Sequence, residues 1–268
     1  MKIQTYLPFL ALLILPLHAE RTEPGENAPQ IMSLLSRTLP QVHMSHEPIS
    51  EGVGRRTLEN FLRALDFDRS IFLAEDVAHL RAQAANLDTD MKEGHVDFAF
   101  EAFDLYKQRA LDRATYVETL LEEGFDLDVE ENYIWRRKDA AWAEDEAAWN
   151  ELWRKKVKNE YLGILIGRHM GELDAEEARL EADAETPEDS EEDPEVAEEE
   201  QTEAVMKADL SPEERIRKRY TQFVEVVEGH DAEYVLQMFL SSFTGAYDVH
   251  SSYLSPRREE DFDIQMKL

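Results

Sequence analysis

A histidine beside two serines comes nearest to a catalytic group in this sequence. His250 precedes Ser251 and Ser252, and a base next to a hydroxyl is the pattern of an activated nucleophile. Adjacent residues on an extended chain point to opposite sides, however, so the sequence argues against a dyad here. The sequence also contains no glycine-rich phosphate loop, zinc-protease helix motif or serine nucleophile elbow. We therefore assign no catalytic residue.

Two pairs of residues could ligate a metal, but neither pair belongs to a complete metal-site pattern. Asp66 and Asp68 have the spacing of calcium-loop ligands, but the glycine and the distal glutamate of such a loop are missing, which favours a helix-capping role. His43 and His46 lie in a turn region without further ligands at useful spacing, and structural zinc sites need four. We predict no metal and no cofactor, and we name no binding residue.

Four tryptophans are concentrated within 19 positions. Trp135, Trp142 and Trp149 are seven residues apart, so one helical face could carry all three, and Trp153 follows them. An aromatic platform for a sugar or a peptide is one interpretation. Packing between helices is the interpretation we favour, because large aromatic side chains dominate the burial of apolar surface in protein cores.

The elements that must position these residues are helices. Apolar side chains at helical spacing predict helices over residues 31–42, 55–65, 96–123 and 144–168, and a further helix beginning about Ala74.

Several residues define the ends and faces of these helices. Gly124 is expected to end the longest clean helix with a left-handed residue. The stretch from Phe125 to Trp135 is less regular and is expected to be extended. Three lysines of the following helix form a basic patch that we place on its solvated side: Lys155, Lys156 and Lys158.

Two more helices are predicted towards the C-terminus. Ser211 to Glu214 is a capping box with proline at the first helical position, and Gly229 should end the helix that it opens. Asp231 should cap the last helix, which runs to about Ala246. The inward side chains of this last helix are expected to be Val235, Met238, Phe239 and Ser242.

The sequence changes character after this last helix. Tyr247 to Pro256 is an extended run of aromatic and polar residues that leads away from the helices. In the final residues, apolar side chains alternate with polar ones, which indicates a strand that should pair with another element; these are Phe262, Ile264, Met266 and Leu268. We interpret the chain as the front part of a longer protein.

The charge of the chain is strongly acidic and unevenly placed. The net charge is −30, and residues 171–209 carry 18 Asp and Glu against only Arg179 and Lys207. With so few apolar side chains, this stretch is predicted to be a low-complexity insert that is disordered in its middle. Nucleic acid is excluded as a partner, because phosphate contacts need a basic face. Cation binding by residues 172–203 is a further hypothesis.

The N-terminus indicates export. Met1 and Lys2 are followed by a short apolar stretch and by Ala19, so residues 1–19 are predicted to be a signal peptide cleaved after Ala19, and residues 20–30 a flexible start of the mature chain. The apolar stretch is too short for a stable membrane span. We expect a periplasmic protein. The sequence has no cysteine, so its stability must come from packing alone.

Four segments of this sequence resemble the tail-specific proteases, also called C-terminal processing peptidases. Residues 248–257 (DVHSSYLSPR) look like the junction before the PDZ domain of that family, which usually has proline where Val249 stands. Residues 58–77, with IFLAEDV at 71–77, residues 151–158 (ELWRKKVK) and Arg219-Tyr220 match the family's N-terminal domain in order.

This resemblance implies an exported serine peptidase that reads substrate tails with a PDZ domain and cleaves with a Ser–Lys dyad. Both would lie beyond this chain. The chain would then be an all-α, multi-helix N-terminal domain over residues 31–256, with the acidic insert at 171–209 and the start of a PDZ-linking segment at 257–268. Its partners would be protein substrates, an adaptor protein and the remainder of the protease. The alternative is a stand-alone periplasmic helical binding or scaffold protein without catalytic activity.

Overall fold

The computed structural model describes residues 21–184 and 210–255, with no account of the side chains at 175 and 177–184. Within these ranges the chain is helical and forms no β-strand, so the prediction of an all-α domain is confirmed. The helices are α1 (Ala28–Val42), α2 (Glu51–Leu65), α3 (Ala74–Gln83), a 3₁₀ turn (Ala84–Asn86), α4 (Leu87–Glu93), α5 (Asp97–Glu123), α6 (Glu146–Ala184), α7 (Pro212–Gly229) and α8 (Ala232–Gly245).

Several sequence predictions fall on residues outside these ranges. They are the signal peptide, the remainder of the acidic insert at 185–209, and the alternating strand at 262–268. Among the helices that the structure does describe, none has the length and apolar character needed to cross a membrane.

The helices surround two adjoining apolar cores that share α5. The first core lies between α1, α2, α4, α8 and the first half of α5, with Phe61, Phe103 and Phe239 at its centre. The second lies between the remainder of α5, α6 and α7, and contains Trp149 and Trp153. Since α5 has 27 residues, about 40 Å at 1.5 Å per residue, one helix can serve both cores.

The helix ends follow local sequence signals closely. The Ser211 hydroxyl accepts a hydrogen bond from the Glu214 amide, and the Glu214 carboxylate accepts one from the Ser211 amide, which confirms the capping box of α7. Asp231 caps α8 as predicted, through a bond from the Tyr234 amide. Gly124 ends α5 with φ +74°, a value that favours glycine. Its ψ of −177°, however, lies outside the left-handed helical region that was predicted.

Two helices begin earlier in the structure than predicted. α1 starts at Ala28, with Pro29 in its first turn, so the N-terminal stretch predicted to be flexible already contains the start of a helix. α2 starts at Glu51, because the sequence from Glu51 to Gly54 continues the buried face with Val53.

The helix predicted over residues 144–168 is confirmed, with its start two residues later, at Glu146. Trp135 and Trp142 precede it, so they share no helical face with Trp149, and the interpretation that one face could carry all three was wrong. At its other end α6 continues to Ala184, well into the segment predicted to be a low-complexity insert.

Candidate functional site

A buried carboxylate organises the turn between α2 and α3. Asp66 is 3% exposed, and its Oδ1 accepts hydrogen bonds from the amides of Ser70 (2.8 Å) and Ile71 (3.2 Å). Its Oδ2 accepts from the Phe72 amide (3.1 Å) and from the indole nitrogen of Trp142 (3.0 Å). Asp66 occupies the C-cap position of α2, and its carboxylate accepts hydrogen bonds from the loop amides that follow, not from the N-terminus of α3.

The tryptophans connect this turn to α6. The indole nitrogens of Trp149 and Trp153 both donate to the Ser70 carbonyl oxygen, at 2.8 and 2.7 Å. Both rings are almost fully buried in the second core. Packing between elements is thus the role of these two tryptophans, as we favoured, and no sugar platform forms there.

The chain between α5 and α6 crosses the surface of α6 without regular secondary structure. We call residues 125–136 the edge segment. Glu131 holds it in place, since the guanidinium of Arg154 donates to both carboxylate oxygens and the Lys158 ammonium donates to Oε1 at 2.7 Å. Lys158 also donates to the Val129 carbonyl oxygen at 3.2 Å. The hydrogen bond from Arg154, and to a lesser extent the one from Lys158, lowers the pKa of Glu131 to about 2.

These contacts overturn the prediction for the lysine patch of α6. The Lys158 side chain is 5% exposed and lies beneath the edge segment, not on a solvated face. The Lys156 ammonium lies 4.4 Å from the Trp153 ring centroid, and burial lowers its pKa. Only Lys155 is placed as predicted, partly exposed and paired with Glu151.

The outer side of the edge segment is apolar and exposed. Four large side chains have exposed fractions between 45% and 68%: Leu127, Val129, Ile134 and Trp135. No backbone-to-backbone hydrogen bond joins residues 125–136 to any part of the chain that the structure describes. Residues 127–129 form a bend, and the Val129 carbonyl oxygen and the Asp128 amide are already bonded. Residues 130–136 follow without regular structure and without hydrogen bonds to other described backbone, so this part of the segment resembles an unpaired sheet edge.

The charge of this surface changes along the segment: it is acidic up to Glu130, whereas at its end the Arg136 guanidinium lies 4.5 Å from the Trp135 ring centroid. Asp126, Asp128 and Glu130 are exposed beside the apolar side chains, while the charge of Glu131 is taken up by the two cations of α6. The acidic first part of the segment suits an extended polypeptide with apolar and basic side chains.

The other residues singled out from the sequence do not form a site. The His250 side chain is exposed, and the segment containing it turns back onto α8: the Thr244 hydroxyl donates to the Ser251 carbonyl oxygen, and the Ser241 hydroxyl to that of Tyr253. His43 contacts Ser45, and its ring packs edge-on against Tyr247. In the two described ranges, no group of three or more His, Asp or Glu side chains could hold a metal ion.

Sequence reasoning did not recognise the edge segment as a binding surface. One signal was available: Gly124 ends a helix, and the next eleven residues contain both aliphatic and aromatic side chains without helical spacing. The ion-pair partners of Glu131 could not be inferred from the sequence, because Arg154 and Lys158 lie more than twenty positions further along the chain.

Comparison with known proteins gives two consistent results. The tail-specific protease N-terminal domain family matches residues 35–257. The tail-specific protease of Haemophilus influenzae is 25% identical over 231 residues, which cover 86% of this chain and 28% of that protein. The chain thus spans less than a third of the length of the curated relative that it matches. Since the family match covers most of the sequence, this chain belongs to the tail-specific protease N-terminal domain family.

Proposed function

We propose that this chain is the N-terminal helical domain of an exported, periplasmic tail-specific serine peptidase, and that it acts as a scaffold and docks polypeptides for proteolysis. The PDZ and Ser–Lys catalytic parts lie in other segments of that protease. The family membership and the relative from Haemophilus influenzae support this proposal. The docked polypeptide is a protein substrate or an adaptor, and the edge segment is its binding surface.

The observation that carries the docking role is the backbone of residues 130–136, which forms no hydrogen bond with other backbone in the described part of the chain. A mobile loop would lose conformational entropy on binding, but the ion pairs of Glu131 with Arg154 and Lys158 already fix this one. An incoming extended chain can then form main-chain hydrogen bonds as an added strand. Its apolar side chains would cover Ile134 and Trp135, which are 68% and 64% exposed.

The charge of the surface sets the expected preference among polypeptides. The exposed carboxylates of Asp126, Asp128 and Glu130 alternate with Leu127 and Val129. A strand with alternating valine and lysine presents apolar groups on one side and ammonium groups on the other. The same strand with glutamate in place of lysine meets like charges, and a strand with several prolines lacks the amide donors.

A titration with three synthetic peptides tests this function. The chain is titrated with fluorescent peptides of alternating valine and lysine, alternating valine and glutamate, and valine and lysine interrupted by prolines. We expect binding of the first peptide, at least about tenfold weaker binding of the second and third, and weaker binding at high salt. Equal binding of the proline-containing peptide would contradict strand addition.

Matched variants locate the site. Trp135→Ser should weaken binding of the valine–lysine peptide at least about tenfold, because it removes the largest apolar contact of the edge segment. Val226→Ser, on the exposed face of α7 at 58% exposure, removes a comparably exposed apolar side chain elsewhere and should leave binding unchanged. An equal loss in both variants would indicate non-specific adsorption.

Two further measurements address the protease context. The purified chain alone should not hydrolyse an unfolded protein, and hydrolysis that co-purifies with it through every step would contradict the proposed location of the catalytic parts. N-terminal sequencing of the protein recovered from the exported fraction should begin at Glu20. Recovery of the intact leader from the cytoplasmic fraction alone would contradict export.

A further inference from the structure

The side chains of residues 130–134 alternate between two environments. Glu130, Asn132 and Ile134 are exposed, whereas Glu131 and Tyr133 are partly buried. A period of two is typical of an extended chain, in which successive side chains point to opposite faces. This part of the edge segment therefore has the side-chain pattern of a strand, with one row of side chains turned outward.

The edge segment ends in a cation that is held in place by an aromatic ring. Arg136 is exposed, and its guanidinium carbon lies over the ring of Trp135, 4.5 Å from the centroid. Stacking covers one face of the planar guanidinium, but its N–H donors lie in the plane and stay available. The Arg136 guanidinium makes no hydrogen bond or ion pair with the described part of the chain. A positioned guanidinium with free donors matches a carboxylate, and little conformational entropy is lost on pairing.

The two cations that follow Arg136 in the sequence differ from it. The Arg137 guanidinium donates to the carbonyl oxygens of Arg69 and Ala141, so it holds the loop that follows the edge segment. Lys138 is exposed, and no aromatic ring in the described ranges lies beneath its ammonium. Of these three cations, Arg136 alone is both exposed and fixed in position.

Opposite charges therefore mark the two ends of the free edge. Glu130 and Arg136 are six residues apart, which is about 20 Å in an extended chain at about 3.3 Å per residue. At physiological salt, charges further apart than about 8 Å are largely screened from each other. Each end thus interacts with the nearest side chain of a docked strand, independently of the other end.

We propose that Arg136 is a specificity-determining residue of the edge segment, and that it pairs with an Asp or Glu side chain of the docked polypeptide. Glu130 pairs with a basic side chain about six residues away along the same docked strand. This inference rests on the proposed docking function and adds the order of charges that the site selects. The preferred polypeptide is not uniformly basic, because its acidic side chain lies beside Arg136.

Peptides that differ in charge order test this inference. The valine–lysine peptide is compared with two derivatives of equal length, in which glutamate replaces the lysines of either the first or the second half, all with blocked termini. The derivative that binds more tightly is then titrated against Arg136→Gln. This substitution should weaken binding of the derivative and strengthen binding of the valine–lysine peptide, so that the ratio of the two dissociation constants changes by about fivefold. A merely structural role of Arg136 would weaken both peptides equally.

Lys138→Gln is the matched control, since it removes an exposed cation two residues beyond Arg136 and should leave this ratio unchanged. An equal change of the ratio in both variants would overturn the inference, and so would a ratio that changes in neither. Amide exchange of residues 130–136 separates such a failure from a failure of docking itself. If the valine–lysine peptide slows this exchange while the ratio stays constant, only the role of Arg136 is contradicted. If the peptide does not slow it, the docking function is contradicted as well.

Discussion

Replacing Asp66 with asparagine should destabilise the domain far more than its small change in shape suggests. The carboxylate accepts four hydrogen bonds, two on each oxygen, and the side chain is 3% exposed. Asparagine keeps one acceptor oxygen, so two bonds are lost and two buried donors then face an amide NH₂ group. Hydrogen bonds to a charged group contribute about 1.5–3 kcal/mol each, so the loss of two should lower the free energy of unfolding by about 3–6 kcal/mol.

Urea unfolding followed by far-ultraviolet circular dichroism measures this loss as a shift of the midpoint at unchanged slope. Asp68→Asn, two residues away on an exposed side chain, is the matched control and should change the free energy by less than about 0.5 kcal/mol. Trp142→Phe removes one of the four bonds and should cost about 1–3 kcal/mol. If Asp66→Asn unfolds within about 0.5 kcal/mol of the unmodified chain, Asp66 does not organise this turn as argued.

We make two further predictions, one for the effect of low pH on the edge segment and one for alanine substitution at two glycines. The pKa of Glu131 is lowered from 4.5 to about 2, so its carboxylate stabilises the folded edge segment above pH 4.5 and loses this effect as the pH falls towards 2. Amide exchange of the edge segment should therefore become faster between pH 4.5 and 2. Glu131→Gln should abolish this pH dependence. Gly94→Ala should lower the melting temperature more than Gly124→Ala. Both glycines have positive φ, but only at Gly94 would the added Cβ lie 2.7 Å from a backbone oxygen, that of Pro29. Equal losses at the two glycines would show that the contact is relieved without cost.

Local signals in the sequence were sufficient to predict most of the described helices, although the short α4 (Leu87–Glu93) was not predicted. The capping box at Ser211, the caps at Asp231 and Gly124 and the apolar spacing of α5 act over a few residues, so the sequence around each end determines it. The all-α fold and the protease family followed from such segments.

The features that the sequence did not reveal depend on contacts between distant residues. Trp142 lies outside any helix because its indole nitrogen bonds Asp66, which is 76 positions away. Lys158 is buried because Glu131 crosses above it. The spacing of the tryptophans allowed Trp142 to lie on a helix face, and the charge pattern of α6 assigned Lys158 to solvent. A pattern on one helix gives no information about the loop that packs on it.

The central claim is that the edge segment adds an incoming polypeptide as a strand. Hydrogen–deuterium exchange of the amides of residues 130–136, measured with and without the valine–lysine peptide, tests it most directly. We expect fast exchange in the free chain and strong slowing in the complex, with the amides of the buried α2 unchanged. Peptide binding that leaves these seven amides exchanging at their free rate would contradict the claim, because the polypeptide would then dock elsewhere.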